Sequence, residues 1–334
     1  MLDNVKNLLE ELKNTAFNEP LLTIFDVIPE VSGEGQINFK GKVLEEADKE
    51  TLKHFFAKRM PNARLNLDQL QIMQTAETPI LRVNKNLSSM HREKSFHTEL
   101  MTQMFYGDPI AVLAEDEDWV LGRNMLDGYI SWTYKKYLSQ IDWQEPTHLV
   151  SAPASAIYSS PDRKEQIGRA LGGLKTVILE ELGDMALIAA DYQGWVEKSA
   201  LTAYADLPQS GDALRNLVCN NALKLIGVPY LWGGNSVNGI DCSGLVQWAY
   251  RMSGLQTRRD AHMQYIAEKS VEPPFLPGDV VLYGKSLDHI SHASISLGGW
   301  TVIHSSRTRN GVYIDDALTA SSLKGTFVAA VRYI

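Results

Sequence analysis

Leu2, Val5, Leu8, Leu9 and Leu12 fall on one face of a helix, and Lys6, Glu10, Glu11 and Lys13 occupy the other, so the chain opens with an amphipathic surface helix. The apolar runs "LLTIFDVI" and "INFKGKVL", separated by the turn-like "SGEG", read as strands. "DKETLKHFFAKRM" reads as a second helix, and an extended piece follows Pro61. Residues 1–75 are therefore expected to form a small α+β domain, and no reactive constellation stands out in it.

The pattern then repeats itself. "MFYGDPIAVLAEDEDWVL" (Met104 to Leu121) aligns with "ALGGLKTVILEELGDMAL" (Ala170 to Leu187), matching Gly107 to Gly173, Leu113 to Leu179, Glu115 to Glu181 and Leu121 to Leu187. Each copy closes on a tryptophan, Trp132 and Trp195. Short strands and glycine-marked turns predict two small β-barrels, residues 76–143 and 144–210. Their pattern resembles bacterial SH3-like domains.

From residue 211 to 334 the period changes to helix, glycine-rich turn, helix and alternating strands. "DALRNLVCNNALKLIG" has helical spacing and stops at Gly227, with Pro229 beyond. After "NGIDCSG", Leu245, Val246, Trp248, Ala249 and Met252 mark a further helix, so Cys242 lies in its first turn. Backbone N–H groups there lack intrahelical acceptors and carry partial positive charge, which favours a thiolate. Cys219, inside the preceding helix, reads as a packed apolar residue.

A nucleophilic cysteine needs a base. His54, His91, His97 and His148 fall in polar helical or loop-like settings, and His262 and His289 flank the segment of interest. "HISHASISLGGWTVIHSS" is more informative: His292, Ser294 and Ser296 alternate with apolar residues, and Trp300, Val302 and His304 share a face of the next strand. A two-residue loop at Gly298-Gly299 would pair Leu297 with Trp300 and send the two imidazoles to opposite faces. A three-residue loop, Leu297 to Gly299, pairs Ser296 with Trp300 and sets His292 directly opposite His304, with Gly299 in a left-handed bulge position. Joint service to one cysteine requires the second register.

In order, "VPYLWGG", "GIDCSGLVQWAY", "RRDAHMQ", "FLPGDVVLYG", "ISHASISLG" and "VIHSS" resemble the NlpC/p60-type cell-wall cysteine peptidases, over roughly residues 214–334. With two preceding SH3-like domains the chain is similar to γ-D-glutamyl-L-diamino acid endopeptidases. The resemblance implies an α+β chain ending in a papain-like domain. It implies Cys242 as nucleophile, His292 as base, His304 as the group orienting that imidazole, and Tyr230 as an oxyanion donor, a role that can contribute ~3 kcal/mol. It further implies contacts of Asp241 and Ser243 with bound γ-D-Glu, and of Glu99 and Tyr129 with the free amino group of the substrate's N-terminal L-Ala. Ala261 departs from the related "RDSxxQ" motif, which removes a hydroxyl contact. A thiolate–imidazolium pair at neutral pH is expected to follow from the helix-start position.

Composition narrows the setting. An apolar fraction of 44% and a charged fraction of 22% are those of an ordinary folded protein. Lys+Arg 32 against Asp+Glu 40 gives −8, without a basic stripe, so nucleic acid is not an expected partner. The amphipathic start lacks a signal peptide's unbroken apolar core and no 18-residue apolar run occurs, so a cytoplasmic protein that neither spans nor binds a membrane is expected. Two cysteines are too few for a disulfide framework. "HISH" lacks the helical spacing and acidic partner of a zinc motif, so neither metal nor cofactor is expected. The substrate would be a released murein tripeptide or tetrapeptide, cleaved between γ-D-Glu and the diamino acid. The alternatives are a hydrolase of intact peptidoglycan and a non-catalytic wall-peptide binder.

Overall fold

Val5, Leu9 and Leu12, spaced four and three apart, are the residues that helix α1 (Leu2–Ala16) buries. In this computed structural model, which describes residues 1–33 and 35–334, α1 is followed by strands β1 (Phe25–Ser32) and β2 (Gln36–Val43), helix α2 (Glu46–Arg59) and strand β3 (Arg64–Ile72). β1 and β2 form an antiparallel hairpin, and β3 returns parallel to β2. A parallel return needs a crossover, and α2 supplies it. The crossover helix starts at a capping box in which Glu45 and Asp48 satisfy each other's backbone N–H groups. Phe39, Phe56, Leu52 and Ile37 fill the core beneath the helices. The two helices and three strands are those expected from the hydrophobic pattern.

By its contacts the chain divides into two compact units, Met1–Leu81 with Ile110–Trp132, and Arg82–Pro109 with Thr133–Ile334. The repeat visible in the sequence is a repeat of local structure. In the first copy, strands Pro109–Asp116 and Trp119–Asn124 pair through a two-residue turn whose first residue, Glu117, has φ 50°. In the second, Ile178–Leu182 and Met185–Ile188 pair through a turn that opens on Gly183 at φ 58°. Each copy continues into a strand carrying its tryptophan, Ile130–Tyr134 and Gly194–Glu197, then a single 3₁₀ turn and a short strand. In the second copy, Val150, Ile157, Leu174, Ile188 and Val196 make a core of their own.

The C-terminal region places helices α3 (Gly211–Leu223) and α4 (Cys242–Arg251) against an antiparallel sheet of β4 (Val280–Gly284), β5 (Ile290–Gly298), β6 (Thr301–Ser306), β7 (Gly311–Asp316) and β8 (Phe327–Val331). The spatial order is β7-β6-β5-β4-β8. Period-two alternation assigns the faces: Val280, Leu282, Ala293, Ile295 and Ile303 pack with Leu245, Val246 and Trp248 of α4. Val281, Tyr283, Val302 and Ala330 face the other way, over Phe275 and Leu323. Each large side chain buried here contributes about 1.5–3 kcal/mol, so α4 is fixed on the sheet chiefly by Leu245, Val246 and Trp248. Its outer end is held by polar contacts. Arg251 forks onto the Asp108 carboxylate at 2.8 and 3.2 Å and donates to the Gly173 carbonyl, while the Trp248 indole donates to Gly172. The matched turns at Gly107 and Gly173 thus flank a common anchor. Among the described residues no helix is long and apolar enough to cross a membrane.

Candidate active site

The turn before α4 is built around one carboxylate. Asp241 caps the helix, accepting the Gly244 N–H at 2.7 Å on Oδ1, and accepts the Gly233 N–H at 2.8 Å on Oδ2. The buried Arg259 guanidinium straddles both oxygens, at 3.1 and 2.6 Å, and also donates to the Ser243 hydroxyl and to Thr102 Oγ1. Removing Arg259 would strand a buried charge, a loss of about 3–5 kcal/mol. Gly244 is required by close approach: a Cβ there would stand 2.2 Å from the Gly234 carbonyl oxygen. These constraints set Cys242 at the first position of the helix, 8% exposed. The side chains of Asp241 and Ser243 thus brace the nucleophile turn.

The histidine hairpin adopts neither register derived above. β5 and β6 pair Ile295 with Ile303 and Ser296 with Val302, then slip at Leu297 so that Gly298 faces Thr301. Extending the inner register sets His304 opposite Ser294, two residues along from His292. The bulge keeps both histidines on one face and makes them diagonal neighbours, which long side chains can span. His292 Nε2 and His304 Nδ1 meet at 2.8 Å. Gly299 does adopt the left-handed conformation, with φ 58°. The backbone N–H of Ala293, the residue after His292, favours the ionised form of the Cys242 thiol.

Asp315 went unnoticed in the sequence. It sits on β7, accepts from His304 Nε2 at 2.9 Å and is pinned by Arg309 at 2.8 Å. The signal was present as alternation: β7 pairs Tyr313 with His304, and Asp315 is two residues further on the same face.

Electrostatics at the centre oppose charge. Burial pushes the Cys242 thiol up to about 11, reinforced by Asp241 and offset in part by the N–H groups of Ala293 and Ser243 and by Arg259. Burial, then His304 and Arg307, push the His292 imidazole down to about 3. His304 is lowered by burial while Asp315 raises it. Burial thus favours the neutral thiol and the neutral imidazole, against the charge separation that the helix start favours. The half-buried Tyr230 is held beside this centre by the bridge between Tyr230 and Ile240. Burial, then Cys242 and Asp241, raise its phenol, which stays a protonated donor.

Glu99 and the following strand reach the same loop. The Trp232 indole N–H donates to Glu99 Oε1 at 2.7 Å, and Gln103 Oε1 accepts from the Asn235 backbone N–H at 3.1 Å. Arg92 holds the other Glu99 oxygen at 2.6 Å and keeps that carboxyl below its usual range. Arg307 lies over the Trp232 ring, 5.8 Å from its centre. Tyr129 is buried at the turn that leads into the strand Ile130–Tyr134. Ala261 packs into the core beside α4. His91 differs from its expected surface setting: it is buried in a strand, bonded to Ser89 Oγ at 2.9 Å, and burial lowers the pKa of its imidazole. His148 lies in the strand His148–Val150.

Residues 227–332 match the NlpC/P60 family. A γ-D-glutamyl-L-lysine dipeptidyl-peptidase of Bacillus subtilis is 30% identical over 230 residues, covering 64% of this chain and 75% of the relative. A protein of the same name from Bacillus cereus is 26% identical over 256 residues, 71% of this chain and 76% of the relative. The crystal structure of an NlpC/P60 family protein from Bacillus cereus superposes with a TM-score of 0.67 at 20% identity, over 76% of this chain and 99% of that one, which is a likeness of fold.

Proposed function

Because this chain belongs to the NlpC/P60 family and is a cysteine peptidase, we propose that it hydrolyses the bond between γ-D-Glu and a diamino acid in released peptidoglycan peptides that begin with a free L-Ala. Cys242 Sγ attacks the γ-carbonyl carbon as its proton passes to His292 Nδ1, the ring nitrogen not engaged by His304. The oxyanion takes the Tyr230 hydroxyl. Collapse breaks the C–N bond, His292 returns the proton to the departing amine, and a thioester remains on sulfur. Water, deprotonated by His292, then attacks the thioester carbonyl, the C–S bond breaks to free the L-Ala-γ-D-Glu acid, and the proton on His292 returns to Cys242 Sγ. With proton transfer concerted with attack, a neutral resting pair suffices, and burial of both groups strengthens their response to charge in the transition state.

The observation that carries the substrate assignment is the Glu99–Trp232 contact, which brings an ionised carboxylate to the "PYLWGG" loop that also holds Tyr230. Oε1 accepts one hydrogen bond and has the lone-pair capacity for another. A substrate ammonium there would gain roughly 1.5–3 kcal/mol, about ten- to a hundredfold in binding. The names of the Bacillus relatives support cleavage after γ-D-Glu. In this reading residues 76–143 and 144–210 are SH3-like modules, residues 211–334 form the peptidase domain, and the enzyme works on murein tripeptides and tetrapeptides in the cytoplasm, as in peptide recycling.

Purified protein incubated with L-Ala-γ-D-Glu-meso-diaminopimelate and L-Ala-γ-D-Glu-L-Lys should release L-Ala-γ-D-Glu, identified by mass, and the N-acetylated peptides should be poor substrates by ten- to a hundredfold. Equal rates on free and acetylated peptides would transfer the assignment to intact wall. Binding without cleavage would make the protein a wall-peptide binder.

A further inference from the structure

The hydrogen-bond chain beyond the two histidines has a direction that the side chains themselves dictate. An ionised carboxylate only accepts, so the 2.9 Å contact of Asp315 Oδ2 with His304 requires the proton on His304 Nε2. A neutral His304 then has a bare Nδ1, and the 2.8 Å contact to His292 requires the proton on His292 Nε2. A neutral His292 in turn has a bare Nδ1, the nitrogen that must receive the thiol proton. Two bonds fix two tautomers, and only the carboxylate at the far end excludes the reverse order.

We propose that Asp315 is a positioning residue for the hydrolysis, acting through His304 to hold His292 in the tautomer whose Nδ1 is a proton acceptor. This rests on the reading of Cys242 as nucleophile and His292 as base. The setting suits the task. Arg309 occupies Oδ1 and leaves Oδ2 aimed at the imidazole. His304 is wholly buried, so water does not compete for its Nε2–H. The charged and titratable groups facing His304 are His292 from β5, Tyr313 and Asp315 from β7, and Arg309 from the turn between β6 and β7. Asp315 is the carboxylate among them. Without it, His304 can place its proton on Nδ1 and donate to His292 Nε2, which moves the second proton to His292 Nδ1 and blocks the base.

The test is Asp315→Asn, nearly identical in shape, with Asp315→Glu as the conservative variant. Loss of a partner that orients a catalytic imidazole from outside typically costs ten- to a hundredfold. For Asp315→Asn, kcat on L-Ala-γ-D-Glu-L-Lys should fall in that range with KM unchanged, and Asp315→Glu should recover part of it. Imidazole ¹⁵N resonances supply a readout that needs no substrate: the wild type should show His304 and His292 both protonated at Nε2, and Asp315→Asn should populate His304 Nδ1–H. A wild-type spectrum with His304 protonated at Nδ1, or an Asp315→Asn enzyme within twofold of wild-type kcat, overturns the proposal. If the tautomers are as stated while Cys242→Ala retains turnover, the fault lies in the assignment of the nucleophile instead.

Discussion

Cys219 and Cys242 are nearly alike by the measures that usually separate an inert thiol from a reactive one. They are 7% and 8% exposed, and burial pushes each up to about 11. What differs is the company each keeps. Cys219 lies in the third turn of α3, and its thiol donates to the Ser296 carbonyl at 3.4 Å. Cys242 begins α4, has its ionised form favoured by the Ala293 N–H and lies close enough to Tyr230 to raise its phenol, and Ala293 follows the His292 of the His292–His304–Asp315 chain. Burial alone therefore does not mark a nucleophile. Donors for the charge that forms and an acceptor for the proton that leaves do so.

The largest contrast should appear in turnover. Cys242→Ala and His292→Ala are each expected to lower kcat/KM on L-Ala-γ-D-Glu-L-Lys by about a thousandfold or more, because one removes the attacking atom and the other its proton acceptor. His304→Ala should fall short of that, since His292 keeps its basic nitrogen and loses only its orientation. Folded variants, verified by circular dichroism, with residual activity near wild type at either of the first two positions would remove the basis for separating the cysteines.

The separation was partly legible in the residues. A helix start at Cys242 follows from the glycines before it and the apolar spacing after it, and the alternation around His292 and His304 identifies two strands. Their meeting was less accessible, because register depends on one extra residue at Leu297, and a bulge leaves no trace in composition. Arg259 lies 18 residues from Asp241, and nothing local announces that the two side chains will share a buried site. Asp315 depends on a third strand, so it became visible only once the hairpin register and its neighbour were both known. Tyr129 is buried, and a glycine-tyrosine turn pattern carries no information on which way such a ring points.

A smaller contrast is expected in thiol chemistry. Burial raises the Cys242 thiol to about 11 and lowers the His292 imidazole to about 3, so the thiolate fraction is expected to rise with pH across the neutral and mildly alkaline range. Alkylation of Cys242 by iodoacetamide, followed by peptide mass mapping, should accelerate continuously from pH 6 to pH 10. Cys219 should lag at every pH in the folded protein, because no imidazole takes its proton. A rate for Cys242 that is already level below pH 7 would establish a resting thiolate–imidazolium pair and show that the N–H groups at the helix start outweigh burial.

The smallest effect is expected at Cys219 itself, and it is the most exacting check on the comparison. Cys219→Ala removes one sulfur from the contact between α3 and β5, the strand that carries His292 four residues before Ser296. The Ser296 carbonyl does not become unsatisfied, since it also accepts the Gly278 N–H at 2.8 Å. What remains is a small cavity, which should cost about 1 kcal/mol of stability and leave β5 in place. Turnover should stay within twofold of wild type while the midpoint of urea unfolding drops slightly. If folded Cys219→Ala loses activity as Cys242→Ala does, α3 is supplying the reactive thiol or fixing the hairpin, and the distinction drawn from the two environments fails.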